Sequence, residues 1–225
     1  MRRHCPRCGE SGYTKVGSII AARGRVQRYQ CVNPKCQKKY HDSLKLQPVP
    51  QRQAYLDIEA SQLTASFGHM ISWALKDRGG EVHSDYIKRR SLKEEKRIVA
   101  SLIEALGEVD EVITYYGTRF DVPFVRTRAL YHGLEFPGYM SMSHLDLYYV
   151  ARARMRMHSN RLATVAEFLG IEGKTALKPD IWVRASFGDV EAIEYIHTHN
   201  IADVVILEEV HDRLEPFMKG VRRSV

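Results

Sequence analysis

Five side chains set the chemistry that this sequence invites. Asp57 and Glu59 stand two apart in the apolar run AYLDIEA at 54–60. If that run is a strand, side chains alternate across it and both carboxylates face the same way. Adjacent acids repel and are costly to bury unless a cation neutralises them. The pair therefore reads either as a solvated strand face or as half of a metal site. Asp121 follows the β-branched and aromatic stretch Glu111–Gly117 and precedes Pro123, which suits the first turn of a helix. A helix N-cap and a residue facing an active site both fit that junction. His199 and Asp203 are four apart in a helical pattern and share one face, as a surface pair or as part of a site. Four carboxylates from strands, a loop and a helix suit Mg²⁺ or Mn²⁺ rather than zinc. Two such ions about 3.5–4 Å apart would activate a water and stabilise the leaving oxygen of a phosphodiester. A neutral imidazole at His199 would serve as general base at neutral pH.

A second set of ligands lies upstream. Cys5 and Cys8 form one short pair, and Cys31 and Cys36 form another after 22 intervening residues. Pro6, Gly9, Asn33 and Pro34 supply turn-formers for two knuckles. Two disulfides are the alternative to a tetrahedral zinc, but no secretory signal or long apolar segment is read here, and paired knuckles favour metal. Four thiolates leave no open coordination position, so this zinc is structural. The same region holds the excess charge. Residues 1–50 carry 11 Lys/Arg against 2 acids, a net of +9, whereas the other 175 carry 23 basic and 25 acidic residues, a net of −2. A basic block of this kind steers phosphate backbones, or is simply a solvated face.

The elements that must position these groups follow from periodicity. TKVGSII and RVQRYQC read as short strands joined by a hairpin at Ala21–Gly24. Two prolines in 46–53 mark a linker. After the 54–60 strand, Gln62–Ala74 reads as a continuing pair of strands ending in a turn at Asp77–Gly80. Ser91–Leu106 has a helical period with Gly107 as its stop. Asp146 opens a helix running through Arg152, Arg154 and Arg156, as a cap more readily than as a ligand. With Arg161 these arginines line a substrate groove or a solvated face. KTALKPDIW at 174–182 reads as an ordered loop, with Trp182 packed or stacked on a base. Asp189–Leu214 is the longest helical pattern, broken near Thr198–Asn200.

These motifs carry two resemblances. CPRCG, Lys15-Val-Gly17, Arg28-Tyr-Gln-Cys31 and Cys36 resemble the zinc ribbons of bacterial insertion-sequence transposases over about the first 42 residues, which implies nucleic-acid contact. Asp57-Ile-Glu59, Tyr116-Gly-Thr-Arg-Phe-Asp121 and His199-x-x-x-Asp203 resemble the DEDD (DnaQ-like) 3′–5′ exonuclease superfamily over about residues 54–214. VITYYGTRFDVPFVRTR, HLDLYYVARARM and HNIADVVILEEV point to its YprB-like, RNase H-like branch. The resemblance implies phosphodiester hydrolysis, with Asp57, Glu59, Asp121 and Asp203 as the carboxylates holding metal. Two departures stand out. Tyr116 replaces the branch's usual Asn, and His199 occupies the register of a tyrosine.

The expected fold is α/β. An RNase H-like mixed sheet flanked by helices covers 54–225, after a zinc ribbon at 1–45 and a linker at 46–53. The expected activity is metal-dependent 3′–5′ exonuclease action on DNA or RNA, single-stranded or with a free 3′ end. Candidate substrate contacts are Tyr116 and Arg119, with Arg28, Lys38 and Lys39 in the ribbon. The alternatives are an inactive nucleic-acid-binding adaptor, a structure-specific endonuclease, or, from the ribbon alone, a transposase-related DNA-binding protein. A cytoplasmic protein that makes no membrane contact is expected, and the sequence names no protein partner.

Overall fold

The structure, a computed structural model, describes residues 4–21, 24–41, 52–138, 141–173 and 178–218. The chain divides into two compact units, Met1–Gln51 and Arg52–Val225. Residues 46–51 of the expected linker, positions 22–23 of the expected hairpin, and Arg2, Arg3, Arg23 and Lys45 of the basic block lie outside the described residues. No helix among the described residues is long and apolar enough to cross a membrane.

In the first unit β1 (Tyr13–Ala21) pairs antiparallel with β2 (Gly24–Cys31), and β2 pairs with the short β3 (Lys39–His41). Among the residues whose burial is described, its buried apolar cluster is Cys5, Tyr29, Cys31 and Tyr40, with Tyr13 and Cys36 packed against it.

The second unit is built on a five-stranded sheet. β4 (Gln53–Ala60), β5 (Met70–Asp77) and β6 (Val82–Tyr86) form an antiparallel meander. Helix α1 (Leu92–Gly107) crosses to β7 (Glu111–Thr114), which pairs parallel with β4. Helix α2 (Asp121–Tyr131) then leads to β8 (Ser143–Asp146), parallel to β7. The strand order is β6-β5-β4-β7-β8, which makes β4 central. α3 (Leu147–Arg154), α4 (Leu162–Phe168), α5 (Pro179–Ser186) and α6 (Val190–Leu214) complete the unit. Alternation along β4 divides the core. Ala54, Leu56 and Ile58 join one apolar cluster with α1 and α2, and Tyr55 joins the other with α3, α4 and the C-terminal half of α6. Asp57 and Glu59 share the face of Tyr55.

Five readings need correction. Residues 61–69 are turns rather than strand: Ser61 N–H donates to His69 O, and the amides of Phe67 and Gly68 both donate to Thr64 O. Polar Gln62, Thr64 and Ser66 have no apolar partner face there, so only Met70–Asp77 continues the sheet. β7 stops at Thr114, not Gly117, because Tyr116 takes a left-handed backbone. α3 ends at Arg154, with Met155 extended, so Arg156 is outside it. Residues 174–177 of the expected loop lie outside the described residues, and Pro179 opens a helix that carries Trp182. α6 runs unbroken through Thr198–Asn200. Thr198 Oγ1 bonds back to Glu194 O, and the Asn200 side chain is engaged elsewhere, so neither competes with the helix backbone. Strand β6 and helix α4 were not read from the sequence at all.

One buried charge ties three elements together. Glu95 on α1 is 1% exposed and accepts from Met70 N–H of β5 (3.0 Å), Arg128 Nε of α2 (2.6 Å) and His132 Nε2 (2.9 Å). Burial alone would push its carboxyl up, but Arg128, the Met70 amide and His132 outweigh it and hold it below the ordinary range. A depressed folded-state value gives stability that is present above the ordinary glutamate range near pH ~4.3 and is lost as pH falls through it. Glu95→Gln leaves the Arg128 guanidinium buried without its counter-charge. It should cost about 3–5 kcal/mol in urea unfolding at pH 7, and the gap to the unmodified protein should narrow towards pH ~3.

Candidate functional site

The central strand carries the acids to the place where α6 crosses it. Asp57 pairs with Ala74 and Glu59 with Ser72 across β4 and β5, and Asp203 projects from α6. Ligand oxygens of Asp57, Glu59 and Asp203 all lie within 4.8 Å of one another, and all three residues are half-buried. Three carboxylates at that spacing could hold a hard cation, and the oxygen-only donor set fits Mg²⁺ or Mn²⁺.

Two neighbours hold these acids in place. Asn200 Nδ2 donates to Asp57 Oδ2 at 2.6 Å, while Asn200 Oδ1 accepts from Ser72 Oγ at 3.0 Å. Asn200 and Ser72 are completely buried, so the relay locks one Asp57 oxygen in place. Trp182 Nε1 on α5 donates to Glu59 Oε2 at 3.3 Å. The sequence reading missed Asn200 and Ser72 and gave Trp182 only packing or stacking. Asn200 does sit inside the His199–Asp203 motif, but its partner across the sheet shows only once the β4–β5 register is known.

Asp121 is not in the group of three. It is 3% exposed, at the start of α2, and its Oδ1 accepts from Ile58 N–H at 3.0 Å, the amide between Asp57 and Glu59. Burial, and beyond it the charge of Asp146, pushes its carboxyl up to about 7, although the Ile58 amide opposes the rise. A divalent cation at the neighbouring acids would favour its charged form. Asp146 caps α3 through Tyr148 N–H and also accepts the amides of Tyr116 and Thr118. Those amides account for both of its oxygens. His199 is buried on α6 with its ring 4.7 Å from that of Tyr195. Tyr116 and Arg119 are exposed on the turn before Asp121.

In the first unit the sulfurs of Cys5 and Cys36 are 3.7 Å apart, and those of Cys8 and Cys31 are 3.6 Å apart. All four thiols lie within 4.8 Å, and none is in a disulfide. Zn–S bonds of ~2.3 Å in a tetrahedron place sulfurs ~3.8 Å apart, so the set has the dimensions of a zinc site. Burial pushes Cys5 up, but the amides of Arg7 and Cys8 outweigh it and hold the thiol at about 7. Burial, with Cys8 and Cys5 beside it, pushes Cys31 up to about 12. Sulfurs this close cannot all ionise without a cation between them. Arg28 lies on β2 and Lys39 on β3, with Lys38 exposed just before it.

The model of the RNase_H_2 family matches residues 54–215. The chain belongs to the RNase_H superfamily. A DNA polymerase of Methanocaldococcus jannaschii is 29% identical over 101 residues, covering 36% of this chain and 6% of that polymerase. The family B DNA polymerase of the hyperthermophilic archaeon Pyrobaculum calidifontis shares the fold, with a TM-score of 0.64 at 16% identity over 92% of this chain and 29% of that one. The chain therefore spans a small part of either polymerase. The mixed sheet flanked by helices is the fold expected for this superfamily.

A chelator should discriminate between the two units. Purified chain should hold one zinc by atomic absorption. Its removal, or Cys31→Ser, should collapse ribbon amide dispersion and leave the helical circular dichroism of Arg52–Val225 in place, because structural zinc sites supply on the order of 10 kcal/mol. Ribbon signals that persist without metal would contradict this.

Proposed function

We propose that this chain is a metal-dependent nuclease that shortens nucleic acid from a free 3′ end. The observation that carries the proposal is the convergence of Asp57, Glu59 and Asp203 oxygens within 4.8 Å, on the superfamily fold. A divalent ion held there, and a second beside it, would supply Lewis-acid activation of a water and charge neutralisation at the leaving oxygen.

The chain's own residues do the rest. Asn200 and Ser72 orient Asp57, and Trp182 orients Glu59, so two ligand carboxylates are set before anything binds. Asp121, anchored to the Ile58 amide, is the fourth acid, adjacent through the strand rather than inside the group of three. His199, one turn before Asp203 on α6, is assigned to take the proton of the attacking water. The basic ribbon supplies phosphate contacts through Arg28, Lys38 and Lys39, which carry no sequence information. The position of Asp121 outside the group favours one second reading, an adaptor that binds nucleic acid without cutting it.

Incubation of the full chain with 5′-labelled single-stranded DNA and RNA decides between them. Under Mg²⁺ or Mn²⁺ a ladder of shortened products is expected, abolished by EDTA and reduced about 10³-fold or more in Asp57→Ala. Asn200→Ala keeps all the carboxylates and should raise the Mn²⁺ needed for half-maximal rate about 10–100-fold. A single internal cut would make the protein an endonuclease, and binding without any cleavage would make it the adaptor.

A further inference from the structure

The turn between β7 and α2 is held in an unfavourable backbone conformation in order to expose a ring. Among the described residues, Tyr116 and Gln37 are the non-glycine residues with left-handed backbone, and Tyr116 has φ +68°. That conformation is strained for an aromatic residue and persists only where the surroundings impose it. Here Asp146 imposes it. Its Oδ1 accepts from Tyr116 N–H at 2.8 Å and its Oδ2 from Thr118 N–H at 2.9 Å. Gly117 closes the turn against the end of β7, where a Cβ would stand 2.4 Å from Thr114 Oγ1.

Much of the ring that this strain positions stays in solvent. Tyr116 is 46% exposed, standing edge-on to Tyr148 at 4.8 Å. Tyr149 is 37% exposed, and its ring also stands edge-on to that of Tyr148, at 5.2 Å. Arg119 stands close to Tyr149 and Tyr116, whose side chains raise its already high pKa further. Two exposed rings and one cation thus stand on the turn and helix that flank Asp121, whose carboxylate is bonded to the strand between Asp57 and Glu59.

We infer that Tyr116, with Tyr149 and Arg119, forms a stacking ledge for the unpaired bases of a nucleic-acid strand. The direction of that strand, toward the carboxylates, rests on the nuclease reading; the ledge itself needs no metal. Every base has a π-face, so stacking is indifferent to sequence and does not touch the 2′-hydroxyl. A duplex hides those faces. The ledge therefore selects unpaired strands and treats DNA and RNA alike, while Arg119 faces the phosphates as a permanent cation.

The test is binding of the full chain, with no Mg²⁺ or Mn²⁺ added and no chelator, in ~0.2 M salt to weaken phosphate contacts of the first unit. The probes are a DNA and an RNA oligomer carrying 2-aminopurine, and an abasic oligomer of equal length. Tyr116→Asn removes the ring yet tolerates the left-handed backbone, so it should fold at least as well as the unmodified chain. It should bind both base-bearing oligomers roughly 5- to 100-fold more weakly and lose the quenching of 2-aminopurine, with the abasic oligomer unchanged. Tyr116→Phe should bind and quench as the unmodified chain does. Unchanged binding by Tyr116→Asn, or an equal loss on the abasic oligomer, would overturn the ledge. A parallel cleavage assay separates the two claims. Ring-dependent binding without cleavage keeps the ledge and rejects the nuclease, and cleavage with ring-independent binding does the reverse.

Discussion

Repulsion between Asp57 and Glu59 is the constraint around which the second unit is arranged. Two carboxylates on one face of a central strand, half-buried beneath a helix, cannot both remain charged there unless partners are brought to them. The fold brings them from three directions. α6 crosses the strand and delivers Asn200 to one oxygen of Asp57, while α5 delivers the Trp182 indole to Glu59. Asp203 comes within 4.8 Å of both and adds a third carboxylate. An arrangement that gathers acids in this way has the donor set that a hard divalent cation takes.

The same logic separates acids that build from acids that react. Glu95 and Asp146 are both buried carboxylates, yet each is saturated by donors from the chain. Glu95 welds α1, α2 and β5 together, and Asp146 fixes the turn that leads to Asp121. Asp121 lies between the two classes, since one oxygen is held by the Ile58 amide while burial keeps its carboxyl near 7. In the first unit the roles are reversed. There four sulfurs lie within 4.8 Å of one another, and two of them, with Tyr29 and Tyr40, are buried in one cluster.

Much of this was legible in the sequence where a short-range rule applies. Strand alternation placed Asp57 and Glu59 on one face, Ser91 and Gly107 bounded α1, and knuckle spacing gathered the cysteines. What was not legible depends on register or on tertiary override. Ser72 meets Asn200 only because β5 pairs with β4 in one register, which no local pattern states. Thr198, His199 and Asn200 are weak helix formers in isolation, yet α6 passes through them, with Thr198 bonded back to the Glu194 carbonyl, His199 buried and Asn200 donating to Asp57. Tyr115–Gly117 read as strand because the two tyrosines have high strand propensity, while the Asp146 contacts that bend the turn come from a distant element.

The claim on which the rest depends is that Asp57, Glu59 and Asp203 hold a divalent cation. Crystals of the full chain soaked in Mn²⁺ would test it directly through the anomalous signal of the metal. The account predicts a strong peak within ~2.2 Å of oxygens from all three carboxylates, with the Asn200–Asp57 hydrogen bond intact. Three carboxylates without a peak, or a peak confined to other residues, would contradict it.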